Sequence, residues 1–256
     1  MIDLHCHILP GIDDGAATMQ SSLQMAREAV AAGVETIAAT PHVRADYPTS
    51  AQTIERSVVV IGEALEAHRI PLEIIPGAEL DLHFLSSLGD GELARLGLGG
   101  NPRLLLLEFP YIGWPSALAT TLADLRARGL TVVLAHPERN AEVQAGPARL
   151  APLVEAGTLV QLTAASIVGT LGASARAAAL DLLDLQLAHL VAGDVHSAGS
   201  RVTRAELCAA LGSEPLVEWL TREVPAAALR SSALPERPQR RRRGSWSARR
   251  LFFRAN

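Results

Sequence analysis

The chain has 256 residues and a formal net charge of -4, with 48% hydrophobic and 20% charged residues, which excludes a wholly disordered chain and supports a sizeable core. Only 4% of the residues are aromatic, so that core rests on Leu, Val, Ile and Ala. No apolar run approaches the ~18–20 residues of a membrane span, and residues 1–7 place Asp3 and His5 where a secretion signal would need a basic and then an apolar stretch. Two cysteines, Cys6 and Cys208, make no disulfide framework, so a reducing, cytoplasmic setting is expected.

In chain order, seven Val/Ile/Leu-rich segments predict strands: IDLHCH (2–7), ETIAAT (35–40), LEIIPGAEL (72–80), RLLLLEF (103–109), TVVLAH (131–136), LVQLTAA (159–165) and AHLVAGDVH (188–196). Between most of them lie stretches with apolar residues at helical spacing, such as SSLQMAREAVAAG (21–33) and ALATTLADLRARG (117–129). Gly33, Gly129 and Gly157 stand where such helices should stop. Near-continuous apolar strands with helical crossovers imply a parallel sheet covered on both faces. Seven strands with no Gly-x-Gly-x-x-Gly turn after the first favour a closed barrel over a dinucleotide-binding sheet.

The chain's charge is unevenly distributed. Residues 1–234 hold 15 Arg against 26 Asp plus Glu, whereas residues 235–256 hold 8 Arg against Glu236 alone, and the chain has no lysine. The sequence therefore divides into an expected barrel over 1–234 and an Arg-rich tail over 235–256, whose composition predicts disorder. The bland reading of this tail is a solvated terminus. The sharper one is an electrostatic arm for an anionic membrane surface or an acidic partner, with Trp246, Leu251, Phe252 and Phe253 as apolar anchors. No specific nucleic-acid recognition is expected.

Ionisable residues collect at the ends of the predicted strands: His5 and His7, then His42, Glu79, Glu108, His136, and the pair Asp194 and His196. In a parallel barrel these carboxyl ends open on one face. Side chains at i and i+2 of a strand point the same way, so His5 and His7 can share one ion while Cys6 faces away. Imidazoles mixed with carboxylates suit Zn, Mn or Fe better than Ca or Mg. Buried carboxylates and histidines in such a place are costly without ions or partners. His68, His83 and His189 lie away from these ends and read as structural.

The motifs HCHILPGIDDG, TPH, PGAEL, LLLEFP, AHPER and GDVHS, in that order, resemble the polymerase and histidinol phosphatase (PHP) superfamily. Within it they are most similar to the metal-dependent tyrosine-protein phosphatases of bacterial capsule and exopolysaccharide clusters. The resemblance covers about residues 1–225 and implies a distorted seven-stranded TIM-like barrel with three divalent ions, Mn foremost, with Zn, Fe or Co as alternatives. Carried over by motif, one ion takes His5, His7, Glu79 and Asp194, and a second takes Glu79, Glu108 and His136. The third takes Asp14, His42 and His196. Arg139 and Arg201 match the arginines that bind phosphate, and Asp13 reads as a residue that orients the loop carrying Asp14. Gly193 and Ser197 depart from the Ser and Asn usual around Asp-x-His in the family, and both changes bear on the support of the ligands.

Two ions sharing a carboxylate can lower the pKa of a water for attack on phosphorus, and arginines can neutralise the phosphoryl oxygens. A cysteine phosphatase is excluded, because that chemistry needs Cys-x5-Arg, and the sixth residues after Cys6 and Cys208 are Ile12 and Glu214. The expected activity is hydrolysis of phosphotyrosine on a bacterial tyrosine kinase that regulates polysaccharide export. The alternatives are a PHP-type phosphoesterase for a small metabolite such as histidinol phosphate, or a metal-binding regulator without turnover.

Overall fold

The computed structural model describes residues 1–238. The chain opens with strand β1 (Ile2–Cys6), helix α1 (Met19–Ala31), β2 (Thr36–Ala39), β3 (His42–Arg44), β4 (Tyr47–Pro48) and α2 (Ala51–Ala67). It continues through β5 (Glu73–Pro76), β6 (Glu79–Asp81), α3 (Asp90–Arg95), β7 (Leu104–Glu108), α4 (Leu118–Ala127) and β8 (Thr131–Leu134). There follow α5 (Ala141–Ala145), α6 (Ala151–Glu155), β9 (Leu159–Thr163), α7 (Ala164–Val168), α8 (Ala173–Asp184) and β10 (Leu190–Ala192). Helices α9 (Arg204–Leu211), α10 (Glu214–Glu218) and α11 (Val224–Leu229) complete the described chain.

Local chemistry accounts for these boundaries. Thr18 and Ser21 cap α1 reciprocally, and its buried face carries Leu23, Met25, Ala26 and Ala29 at helical spacing. The chain leaves α1 through Ala32 and then Gly33 at φ +87°, a left-handed turn that glycine adopts without steric cost. All five residues of β7 and of β9 are buried, as expected of strands covered on both faces. Gly15 brings the loop after β1 back onto His7, and a Cβ there would collide with the His7 carbonyl oxygen.

The fold is α/β with parallel sheets, but the expected single closed barrel is not what the strand ladders make. Among the described residues they form a three-stranded sheet, β1–β2–β5, and a seven-stranded sheet, β10–β9–β8–β7–β6–β3–β4. Every pairing is parallel except β3 with β4. The physical reason lies at two prolines. Pro41 separates β2 from β3, and Pro76 with Gly77 separates β5 from β6. A proline has no N–H to give a ladder, so the predicted strand 72–80 breaks into β5 and β6, the predicted strand 35–40 stops as β2 short of β3, and in both cases the two pieces fall into different sheets. Among the described residues, the edges at β1 and β10 are joined by an isolated bridge between Cys6 and Val195. There Asp194 N donates to His5 O at 2.8 Å and His7 N donates to Val195 O at 3.0 Å.

Two residues at the start of the expected tail, Pro235 and Arg237, contact the residues before it. Trp219 Nε1 donates to Pro235 O at 3.0 Å, and Arg237 stacks 5.0 Å from the Trp219 ring while its guanidinium donates to Ala188 O and Leu183 O. Gln239 onward, the larger part of the Arg-rich tail and its aromatic anchors, lies outside the described residues. No helix among the described residues is long and apolar enough to cross a membrane.

Candidate metal centre and substrate cavity

A cavity of about 520 Å³ is lined by His42 and Arg44 of β3, Glu79 at the start of β6, His136 just after β8, and Asp194 and His196 after β10. The nine residues expected as ligands come together in and behind its wall, in four overlapping groups: His5, Glu79 and His136; His5, His7 and Asp194; His42, Glu79 and Glu108; and His7, Asp14, His42 and His196. Within each group the ligand atoms lie within 4.8 Å of one another. The grouping is more interlocked than the motif assignment. His42 turns Nδ1 toward Glu79 and Glu108 and Nε2 toward Asp14, so it stands between two groups. Glu79 lies at the middle, within 2.7–3.4 Å of His136, His42, His5 and His7.

The hydrogen bonds around the cluster set which nitrogen of each ring faces inward. Gln161 on β9 accepts from His5 Nδ1 at 2.9 Å, and Asp13 accepts from His7 Nδ1 at 2.7 Å. Both Nε2 atoms are thereby left toward the cavity, and they face each other at 3.2 Å. Two imidazole lone pairs at that separation need a shared proton or a cation between them. Asp13 also receives Gly15 N and His42 N, at 2.9 and 3.0 Å, which matches the loop-orienting part expected of it. The His196 ring stacks on His7 at 3.8 Å.

The residues present fit divalent ions. Glu79 Oε2 and His42 Nδ1 are buried and lie 2.9 Å apart, yet off the angle of a hydrogen bond, so neither has a hydrogen-bond partner. Atoms aimed at a common point rather than at each other are what ligation requires. Electrostatics agree. Burial opposes a charge on His5, but the Glu79 and Asp194 carboxylates outweigh it and raise the ring to about 9. Burial likewise opposes ionisation of Glu79, while His5, His136 and His42 hold it well below the usual carboxylate range. Burial, followed by the Glu79 charge, pushes Glu108 up. His136 and Asp194 both adopt positive φ, 33° and 51°, backbone strain of the kind that surrounding structure imposes at working sites.

The two expected arginines part company. Arg139, in the turn after β8, lines the cavity. It donates to Asp194 Oδ2 at 2.7 Å, and its guanidinium sits 4.5 Å from the Tyr111 ring. Arg201 does not line the cavity. Its side chain is 5% exposed and donates to Asp3 Oδ2 at 2.6 Å, with Cys6 Sγ at 3.4 Å. The arginine expected beside Arg139 at the phosphate thus lies outside the cavity wall here, paired with a buried carboxylate. Gly193 makes room for that pair, since a Cβ there would lie 2.6 Å from Asp3 Oδ2. Cys6 is fully buried, and burial pushes its thiol up to about 12, which suits a packing residue and not a nucleophile.

Several residues of the site were not singled out from sequence. Gln161 carries a signal that could have found it, an amide in the middle of the apolar run LVQLTAA. Tyr111 and Arg44 line the cavity as well, and Arg44 follows His42 at the i+2 spacing that had paired His5 with His7. Asn140 pins the Tyr111 loop by donating to Pro110 O and Gly113 O at 2.7 and 2.9 Å. The histidines read as structural lie outside all four groups. His189 accepts from Val160 N at 3.1 Å, and burial lowers its ring to about 4.

Residues 1–223 match the family model described as Capsular polysaccharide synthesis, CpsB/CapC. The chain belongs to the CpsB/CapC family. It is 36% identical over 204 residues to the tyrosine-protein phosphatase YwqE of Bacillus subtilis (strain 168), covering 78% of this chain and 79% of that one. It is 28% identical over 207 residues to the tyrosine-protein phosphatase CpsB of Streptococcus pneumoniae, covering 78% and 85% respectively. A chain from the crystal structures of YwqE and CpsB, described as unique metal-dependent tyrosine phosphatases, superposes with a TM-score of 0.81 at 34% identity. That match covers 94% of this CpsB/CapC chain and all of the other, so the likeness extends over the sheets and the cavity alike.

Proposed function

We propose that this CpsB/CapC member is a metal-dependent protein-tyrosine phosphatase. The observation that carries the reading is the buried cluster around Glu79, in which two imidazole nitrogens face each other beside an unpaired carboxylate oxygen, at the wall of a cavity that Glu79 and Arg139 line. Three divalent ions, Mn foremost, would be held there: one by His5, His7, Glu79 and Asp194, one by Glu79, Glu108 and His136, and one by Asp14, His42 and His196. When bound, they supply a water of lowered pKa and charge to offset the phosphoryl oxygens. Glu79, shared between two of these ligand sets, fixes their spacing. Gln161 and Asp13 hold the His5 and His7 rings so that Nε2 stays inward. Arg139 receives a phosphoryl oxygen, and its contacts with Asp194 and Tyr111 keep the guanidinium in place.

An aryl ester fits better than an alkyl one. Tyr111, 44% exposed, and Leu171, 43% exposed, line the cavity mouth and offer apolar surface to a phenyl ring. The phenol leaving group, with a pKa near ~10, departs with less protonation than an alcohol needs. The two sheets, bridged at Cys6 and Val195, then act as one distorted barrel with its chemistry at one end. The physiological substrate is a phosphotyrosine protein, in this reading a bacterial tyrosine kinase that regulates polysaccharide export, and the reaction takes place in the cytoplasm. Kinetics of the Mn-loaded protein on a phosphotyrosine peptide and on histidinol phosphate test the proposal. A kcat/KM at least tenfold higher for the peptide is expected. Preference for histidinol phosphate would favour a metabolite phosphoesterase, and hydrolysis of neither would leave a metal-binding regulator.

A further inference from the structure

The cavity contains a second arginine placed much as Arg139 is. Arg44 ends β3, two residues after His42 on the same face of the strand. Its guanidinium lies 5.1 Å from the Tyr47 ring, as that of Arg139 lies 4.5 Å from Tyr111. Each arginine reaches one carboxylate of the centre: Arg44 Nη1 lies 3.5 Å from Glu108 Oε1, and Arg139 Nη1 lies 2.7 Å from Asp194 Oδ2. Their side chains are 28% and 27% exposed, against 5% for Arg201.

Sheet order puts the two on opposite sides of the carboxylates. β6 and β7, which carry Glu79 and Glu108, lie between β3, which carries Arg44, and β8, which leads into Arg139. We propose that Arg44 is a phosphate-binding arginine of this site, opposite Arg139. The inference rests on the phosphatase reading above. The remaining contact of Arg44 does not tie it down as Asp3 ties Arg201. Its Nε is 2.8 Å from Asp46 Oδ1 but off the hydrogen-bond angle, and Asp46 is 67% exposed. A phosphoryl group entering between β3 and β8 would meet one cation from each side. Two such cations hold a tetrahedral dianion in one orientation, which a single one does not.

The test is calorimetric titration of inorganic phosphate into Mn-loaded full-length protein, with bound metal measured on the same samples. Arg44→Met is expected to weaken phosphate binding about ten- to a hundredfold with metal content unchanged, the usual range for losing one charge-assisted contact. Arg44→Lys should recover part of the loss, and KM for an aryl phosphate should move in parallel. Unchanged phosphate affinity in Arg44→Met overturns the proposal. So does a loss of metal in that variant, which would make Arg44 a support for Glu108. Phosphate affinity that falls in Arg201→Lys and not in Arg44→Met returns the part to Arg201. Because phosphate binding is read without turnover, a parent protein that binds phosphate but hydrolyses no ester contradicts the proposed function and leaves the Arg44 comparison legible.

Discussion

Asp3 and His5 stand two residues apart on β1, both buried, and end in opposite electrostatic states. Asp3 meets Arg201 at 2.6 Å and accepts Gly193 N at 2.8 Å. That pair is closed: one acid and one base, with a cavity of only about 30 Å³ beside it. His5 Nε2 faces Glu79, Asp194 and the Nε2 of His7, a crowd of ligand atoms with no single partner, two of whose residues, Glu79 and Asp194, line the large cavity. The contrast teaches how to tell a structural buried charge from a working one. A structural charge is neutralised by one good partner, whereas a working site leaves several strong ligands short of partners and aimed at the same space. His189 gives a third state: half-buried, uncharged, and satisfied by one backbone N–H.

The comparison breaks first if Arg201 is not structural. Removing one member of a buried ion pair typically costs about 3–5 kcal/mol, so Arg201→Met should lower the urea midpoint sharply by stranding Asp3. A variant as stable as the parent would show that the pair is not what holds β1 to the segment after β10. His189 sharpens the comparison with a smaller effect. Its ring is held near 4 in the folded chain by burial, against ~6.5 when unfolded. Above ~6.5 both states are neutral; as pH falls from there toward 4 the unfolded chain takes the proton first, and stability drains away by up to about 3 kcal/mol. His189→Asn keeps an acceptor and removes the titration, so its stability should fall less than the parent's between pH 7.5 and pH 4.5. Equal acid sensitivity would mean that His189 is already charged in the fold.

Most of the strands were legible because they are buried on both faces, and apolar runs such as RLLLLEF report that directly. Pro41 and Pro76 were visible too, but which sheet each broken half would join depends on partners far along the chain. His5, His7 and Glu79 could be read as a site because residues with polar, ionisable side chains stood at the ends of apolar strands. The partner of Arg201 could not be read by the same means. The distance of Arg201 from His196 in sequence says nothing about the buried acid that captures it, and Asp3 lies 198 residues away. Arg44 was passed over although its i+2 spacing from His42 matched the spacing used for His5 and His7. Arg237 was assigned to the tail by composition, and its place on Trp219 follows from packing that composition does not encode.

The central claim is that the open cluster around Glu79 is a metal centre that drives hydrolysis. The direct test measures bound metal and phosphotyrosine-peptide hydrolysis on the same samples: protein stripped by chelation, the same protein reloaded with Mn, and Glu79→Gln treated identically. Stripping should abolish activity, and reloading should restore it with about three ions per chain. Glu79→Gln should bind fewer ions and stay several orders of magnitude less active, because the carboxylate shared by two ions is gone. Full activity in stripped protein, or a Glu79→Gln variant with normal metal content and normal turnover, would contradict the account.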